Sequence, residues 1–344
     1  MKNKLAAVLV GILGMAWAGS ALAQVAFTPF VTGTGGSPIG FTYAGNKFVG
    51  SNYFNNQLYQ TDLTGGNLQA FGAAIPFYAG TGEIYVSSSL GLGGFGLRDV
   101  FAGSQFEGNI YRFSNDGSTQ SLFASGLVGG VRGIAFDPFG GYGNNMLVTT
   151  SVGNVYTVNN AGSATMLANV GGDAEGLDFA PQQFGNISAG TLVVVSEGTG
   201  RLNAITSGGA MTDLGLQFNA PEMLSFVPTN LGLSGNPLEG FYAANYATNV
   251  IKAGVSQFSS LLGDAVITEE TSHQMYRISW NGTTSTFDKT WIGAFPNQPE
   301  DGIFVTAAIL NPGSVVPEPE TYAMLLAGLS LLGFTARRRK QSLG

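Results

Sequence analysis

Two stretches decide the architecture: Arg132-Gly133-Ile134-Ala135-Phe136-Asp137-Pro138, and Glu175-Gly176-Leu177-Asp178-Phe179-Ala180-Pro181, which begins 43 residues later. Both read polar, small, aliphatic, any residue, aromatic. A third copy, Glu222-Met223-Leu224-Ser225-Phe226-Val227-Pro228, follows after 47 residues. A looser one, Asp301-Gly302-Ile303-Phe304-Val305, has its aromatic one place early. Weaker copies start near Pro38-Ile39-Gly40-Phe41 and Glu83-Ile84-Tyr85-Val86.

Behind the two clearest copies lie further short apolar runs, at 146–149, 154–158 and 164–167, then at 191–195, 201–205 and 210–214. Turn residues such as Asn160-Ala161-Gly162 and Ser207-Gly208-Gly209 join the later runs as hairpins. Four short antiparallel strands per forty-odd residues is the period of a β-propeller blade. One such sheet cannot bury both faces, whereas several arranged radially can. The sequence therefore predicts an all-β fold, a propeller, with six first-strand signals near 39, 84, 133, 176, 223 and 302 favouring six blades. A sandwich or jelly roll is the competing architecture, and it gives no reason for the recurrent motif.

The 79-residue interval from Glu222 to Asp301 is too long for one plain blade. Either one blade carries an inserted hairpin, or two blades share the strands between. The early run Ala26-Phe27-Thr28-Pro29-Phe30-Val31 resembles an outer strand, and it is expected to join the blade that holds the C-terminal strand.

The ends of the chain read as addresses. Residues 1–23 have a basic start (Lys2, Lys4), an apolar stretch and a small-x-small site at Ala21-Leu22-Ala23, the pattern of a signal peptide with its signal helix. Near the other end stand Val316-Pro317-Glu318-Pro319, an uncharged run over 322–334 and the cluster Arg337-Arg338-Arg339-Lys340. The prolines keep the motif extended and accessible. As a helix the run reaches about 20 Å against roughly 30 Å of bilayer core, a marginal anchor whose basic end favours the cytoplasmic side. The domains are then signal peptide 1–23, propeller 24–312 and tail 313–344, with a short transmembrane helix over 322–336.

This tail resembles the PEP-CTERM sorting signal. The resemblance implies export, transient membrane association and cleavage near Pro317-Glu318-Pro319 by an exosortase-type partner. The protein would end at the cell surface, in the extracellular matrix or in the outer envelope. Glu320 stands where that family usually has Ser or Thr.

Between the two addresses, eight cations face nineteen acids, a net charge near −11. Such a field disfavours nucleic acid and anionic lipid, and suits cations or neutral glycans. There are no cysteines, hence no disulfides and no thiolate chemistry. His273 is the only histidine and no Gly-x-Ser-x-Gly elbow accompanies it, so no complete catalytic set is present.

The pattern Gly-Ile-Ala-Phe-Asp-Pro, then Gly-Asn-Val-Tyr-Thr-Val, resembles NHL and gluconolactonase-like six-bladed propellers. In a propeller, first-strand starts and second-strand ends share one face. Arg132, Glu175, Glu222, Glu300 and Asp301 would thus ring one mouth with Glu197 and Glu269, the latter two aligned through Val194-Val195-Ser196-Glu197 and Val266-Ile267-Thr268-Glu269. Converging carboxylates suit Ca²⁺ or another divalent cation, and the gluconolactonase resemblance makes Glu175 the position most like a metal ligand. Without a cation, they raise one another's pKa. Tyr53, Phe54, Tyr242 and Tyr246, beside Asn52, Asn245 and Asn249, are candidates for stacking on sugar rings.

The residues read best as a surface-displayed, non-enzymatic propeller that binds or organises extracellular material such as exopolysaccharide in a biofilm matrix. A metal-dependent lactonase is the alternative.

Overall fold

The computed structural model describes residues 24–77 and 82–310. The signal-helix, sorting-motif and transmembrane-helix expectations (1–23 and 313–344) lie outside the described residues. Among the described residues, no helix is long and apolar enough to cross a membrane.

After β1 (Thr28–Thr32), the first blade is β2 (Pro38–Tyr43), β3 (Phe48–Asn52), β4 (Asn55–Thr61) and β5 (Gln69–Phe71). The second is β6 (Ile84–Ser88), β7 (Val100–Ser104), β8 (Glu107–Phe113) and β9 (Gln120–Ala124). The third is β10 (Val131–Phe136), β11 (Met146–Thr150), β12 (Asn154–Val158) and β13 (Ala164–Asn169). The fourth is β14 (Ala174–Phe179), β15 (Leu192–Ser196), β16 (Arg201–Ile205) and β17 (Met211–Gln217). All pairings are antiparallel, and the first strand of each blade contacts the first strand of the next.

The long interval is resolved by sharing. The chain passes from β18 (Pro221–Phe226) into the hairpin β19 (Gly240–Asn245) and β20 (Asn249–Gly254), then returns to β21 (Ala265–Glu269), β22 (Gln274–Asn281) and β23 (Thr286–Ala294). The fifth blade is β18-β21-β22-β23; the hairpin belongs to the sixth, β24-β19-β20-β1, with β24 spanning Pro299–Val305. Thr28 pairs with Lys252 and Thr32 with Asn249, so strands from both ends close the ring in one sheet. A short helix, α1 (Ala307–Leu310), follows β24.

Each motif position has a physical duty. A Cβ on Gly133 would lie 2.5 Å from the Glu175 carbonyl oxygen, and one on Gly176 would lie 2.3 Å from the Leu224 nitrogen. Only glycine lets neighbouring first strands converge so closely on the axis. The aromatics Phe136, Phe179 and Phe226 pack into apolar clusters formed between successive blades, joined by residues such as Met146, Leu192 and Ala265. Six such clusters lie between the six blades, so the ring is held by burial of apolar surface rather than by cross-links.

Candidate functional site

Five of the first strands carry a β-bulge near their start. The register slips between Pro38 and Phe41, Val131 and Gly133, Ala174 and Leu177, Pro221 and Leu224, and across Gly302 and Pro299 opposite β19. A bulge adds one residue against the partner strand and re-aims its side chain. Arg132, Glu175, Glu222 and Glu300 sit in four of these bulges, and all four side chains line the same end of the central cavity.

Arg132, buried, is the hub. Its Nε donates to Asp173 Oδ1 at 3.0 Å, its Nη1 pairs with Glu83 Oε2, and its Nη2 pairs with Glu175 Oε1 and lies 3.6 Å from Glu197 Oε2. The guanidinium also covers the Tyr85 ring, 5.4 Å from its centroid. Burial opposes the cation, but Tyr85, Glu222, Glu83 and Asp173 more than offset that and hold its pKa above the ordinary arginine value.

One guanidinium does not neutralise this collar. Burial raises the Glu222 carboxyl well above the glutamate range, with Arg132 opposing and Glu83, Glu270 and Glu197 adding. Burial, then Glu222, Glu83 and Glu270, raise Glu300 likewise. Glu197 is raised by burial and by Glu270, and burial pushes Asp173 up to about 6 against the pull of Arg132. Gln298 Nε2 bridges the collar by donating to Glu270 Oε1 at 2.6 Å and to Glu300 Oε1 at 2.8 Å. Glu175 is 2% exposed; beyond its ion pair with Arg132, neither carboxylate oxygen has a hydrogen-bond partner among the described residues. A buried acceptor left in that state costs roughly 1–3 kcal/mol.

The structure thus brings Arg132, Glu175, Glu197, Glu222 and Glu300 together, and leaves two of the expected residues out. Glu269 turns away to Lys289 Nζ at 2.8 Å, the Asn219 amide at 3.0 Å and Ser272 Oγ at 2.8 Å. Strand pairing gives the reason: Ser196 faces Ala174, and Glu269 faces Pro221. Ser196 and Glu269 are therefore equivalent, and the true counterpart of Glu197 is Glu270. A slip of one residue exchanges the faces of a strand. Asp301 lies deeper, where the Phe41 amide donates to its Oδ2 at 3.5 Å, and burial pushes it up to about 7. Glu83, Asp173 and Glu270 are collar members not among the expected residues: Glu83 opens a weak copy of the motif, Asp173 stands two residues before Glu175, and Glu270 directly follows Glu269.

Oxygens of Asp173, Glu175 and Glu197 lie within 4.8 Å of one another, a donor set that suits a hard divalent cation. Arg132 reaches all three, so an ion there would share or displace its guanidinium. His273 occupies the turn before β22 with a left-handed backbone (φ 57°), its carbonyl accepting from the Phe295 amide.

Beside the collar stands an aromatic lip. Tyr53 and Phe54 have ring centroids 4.2 Å apart, and Tyr246 meets Tyr53 edge-on at 5.7 Å. Phe54 is 64% exposed on a left-handed backbone (φ 52°), a conformation that costs a non-glycine residue energy. Of the other stacking candidates, Tyr242, Asn52 and Asn245 are buried.

The chain descends β24 from the collar at Glu300, and α1 then lies at the far end of the cavity, where Ala308 and Ile309 line it. Leu310, the last described residue, therefore lies toward the face opposite the carboxylates. Residues 315–340 match the PEP-CTERM protein-sorting motif. No curated protein matches the chain in sequence.

Among solved structures it is similar to the PQQ-bound aldose sugar dehydrogenase of Streptomyces coelicolor, at 14% identity and TM-score 0.54 over 86% of this chain and 96% of that one. A putative oxidoreductase (glucose dehydrogenase) of Thermus thermophilus gives 12%, 0.54, 85% and 97%. The nidogen/laminin complex gives 15%, 0.50, 77% and 83%. At such identities the likeness is one of fold, a six-bladed propeller.

Proposed function

We propose that this is an exported propeller, handed to an exosortase-type enzyme by its PEP-CTERM tail, that binds extracellular polysaccharide at the collar face. The observation that carries the binding reading is the aromatic lip of Tyr53, Phe54 and Tyr246 beside the carboxylates and the Gln298 amide. Flat rings offer stacking faces to sugar rings, and the polar groups take hydroxyl hydrogen bonds.

The test is a pull-down with the producer's own polysaccharide, using residues 24–310, whose ring closes within itself. Binding is expected, and Phe54→Ala or Tyr53→Ala should weaken it about tenfold, equivalent to ~1.4 kcal/mol. Failure of the unaltered protein to bind, or full binding by both variants, would overturn the reading.

The second reading is a metal-dependent lactonase, favoured by the convergence of Asp173, Glu175 and Glu197. It requires that millimolar Ca²⁺ give calorimetric heat and a raised Tm, both lost in Glu175→Gln, together with chelator-sensitive lactone opening. Absence of both heat and thermal shift removes it.

A further inference from the structure

From the collar downward the first strands enclose a cavity of about 560 Å³, a volume typical of small-molecule sites. Ile134, Phe136, Leu177 and Ile303 give it apolar walls, and Ala308 and Ile309 of α1 lie across its floor. Two carboxyls interrupt those walls. The Phe179 and Phe226 amides each donate to Asp178 at 2.7 Å, and the Phe41 amide donates to Asp301. Both aspartates keep part of their surface open while lining the chamber. At its throat stands Glu175, buried, with no donor among the described residues reaching its Oε2.

These features select a class of guest. The collar sets Glu83, Asp173, Glu175 and Glu197 against the guanidinium of Arg132, an excess of carboxylate that draws cations and repels anions. A neutral apolar molecule would satisfy the walls and leave the Glu175 oxygen without a donor. A hydrated metal ion would gain nothing from Phe136, Leu177 and Ile303.

We propose that the chamber binds a small organic ammonium ion with an apolar body, an aliphatic or aromatic amine, its N–H groups donating to the chamber carboxylates. This site is separate from the polysaccharide lip and stands or falls independently of it.

The experiment is calorimetry of residues 24–310 at about pH 8, where the aspartates are ionised, with 2-phenylethylamine, 2-phenylethanol, phenylacetate and CaCl₂ as separate probes. The amine is expected to bind at least tenfold more tightly than the alcohol, with no heat from phenylacetate. Asp178→Asn with Asp301→Asn should weaken amine binding at least tenfold, and Phe54→Ala should leave it unchanged. If the double variant melts with altered circular dichroism, Ile303→Phe, which fills the chamber, replaces it with the same expected loss. No amine heat up to about 10 mM, whether or not CaCl₂ gives heat at the collar, equal binding of the alcohol, or binding untouched by the chamber variants would each overturn the proposal.

Discussion

Arg132→Met is expected to lower the melting temperature of the propeller by on the order of 10 °C. Methionine matches the aliphatic stem but removes the one cation that faces Glu83, Asp173, Glu175 and Glu197 together. Breaking a buried ion pair from one side typically costs about 3–5 kcal/mol, because the remaining charge is left uncompensated. In a domain of this size each kcal/mol moves the midpoint by roughly 2–4 °C.

Arg132→Lys should recover only part of the loss, since an ammonium is a point charge and cannot serve several carboxylates in different directions. The deficit of Arg132→Met should shrink at mildly acid pH, where Asp173, pushed up to about 6 by burial, takes up a proton in place of the missing partner. Thermal melts at about pH 8 and about pH 5 check both statements. A melting temperature within a degree or two of the parent at both pH values would show that Arg132 does not hold the collar together.

The same residues show why the fold is readable in the sequence and the site only partly so. Gly133, Gly176 and the aromatics Phe136, Phe179 and Phe226 repeat because close approach and inter-blade burial recur from blade to blade. Such requirements leave a periodic trace in sequence. The collar leaves only a partial trace: Arg132, Glu175 and Glu222 open copies of the motif, but the side chains are aimed by bulges, and a bulge changes the register by one residue without changing composition.

Aligning Ser196-Glu197 with Thr268-Glu269 therefore picks the wrong glutamate of an adjacent pair, and pairing of Glu269 with Pro221 restores Glu270. The hairpin lent by the fifth blade to the sixth is likewise visible in sequence only as an interval of the wrong length. Glu83 opens one of the weak copies of the motif, and Asp173 lies two residues before the copy that starts at Glu175. Their contact with Arg132 exists only once the ring has closed.

Stability should fall, not rise, as pH is raised from about 5 to 8. Burial pushes Asp178 up to about 6 and Asp301 up to about 7, with only backbone amides opposing, and burial raises Glu222 and Glu300 well above their range. An unfolded aspartate or glutamate titrates near 3.9 or 4.3. Between those values and the folded ones, the folded state holds more protons than the unfolded, so the slope of unfolding free energy with pH is negative. The protonated chamber is thus at full strength near pH 4 and weakens as pH climbs through 6 and 7. At about 1.4 kcal/mol per pKa unit, Asp178 and Asp301 alone are worth on the order of several kcal/mol.

Glu269 works the other way. Burial raises its pKa, but Lys289, the Asn219 amide and Ser272 more than offset this, so its contribution is lost only in stronger acid. The maximum is therefore expected in mild acid, near pH 5. Asp178→Asn with Asp301→Asn should flatten the decline toward pH 8, because an amide has no charge to bury. Melts at half-unit intervals, or urea midpoints at the same pH values, read this directly. A parent protein more stable at pH 8 than at pH 5 would mean that the chamber carboxyls stay ionised and well solvated in the folded ring.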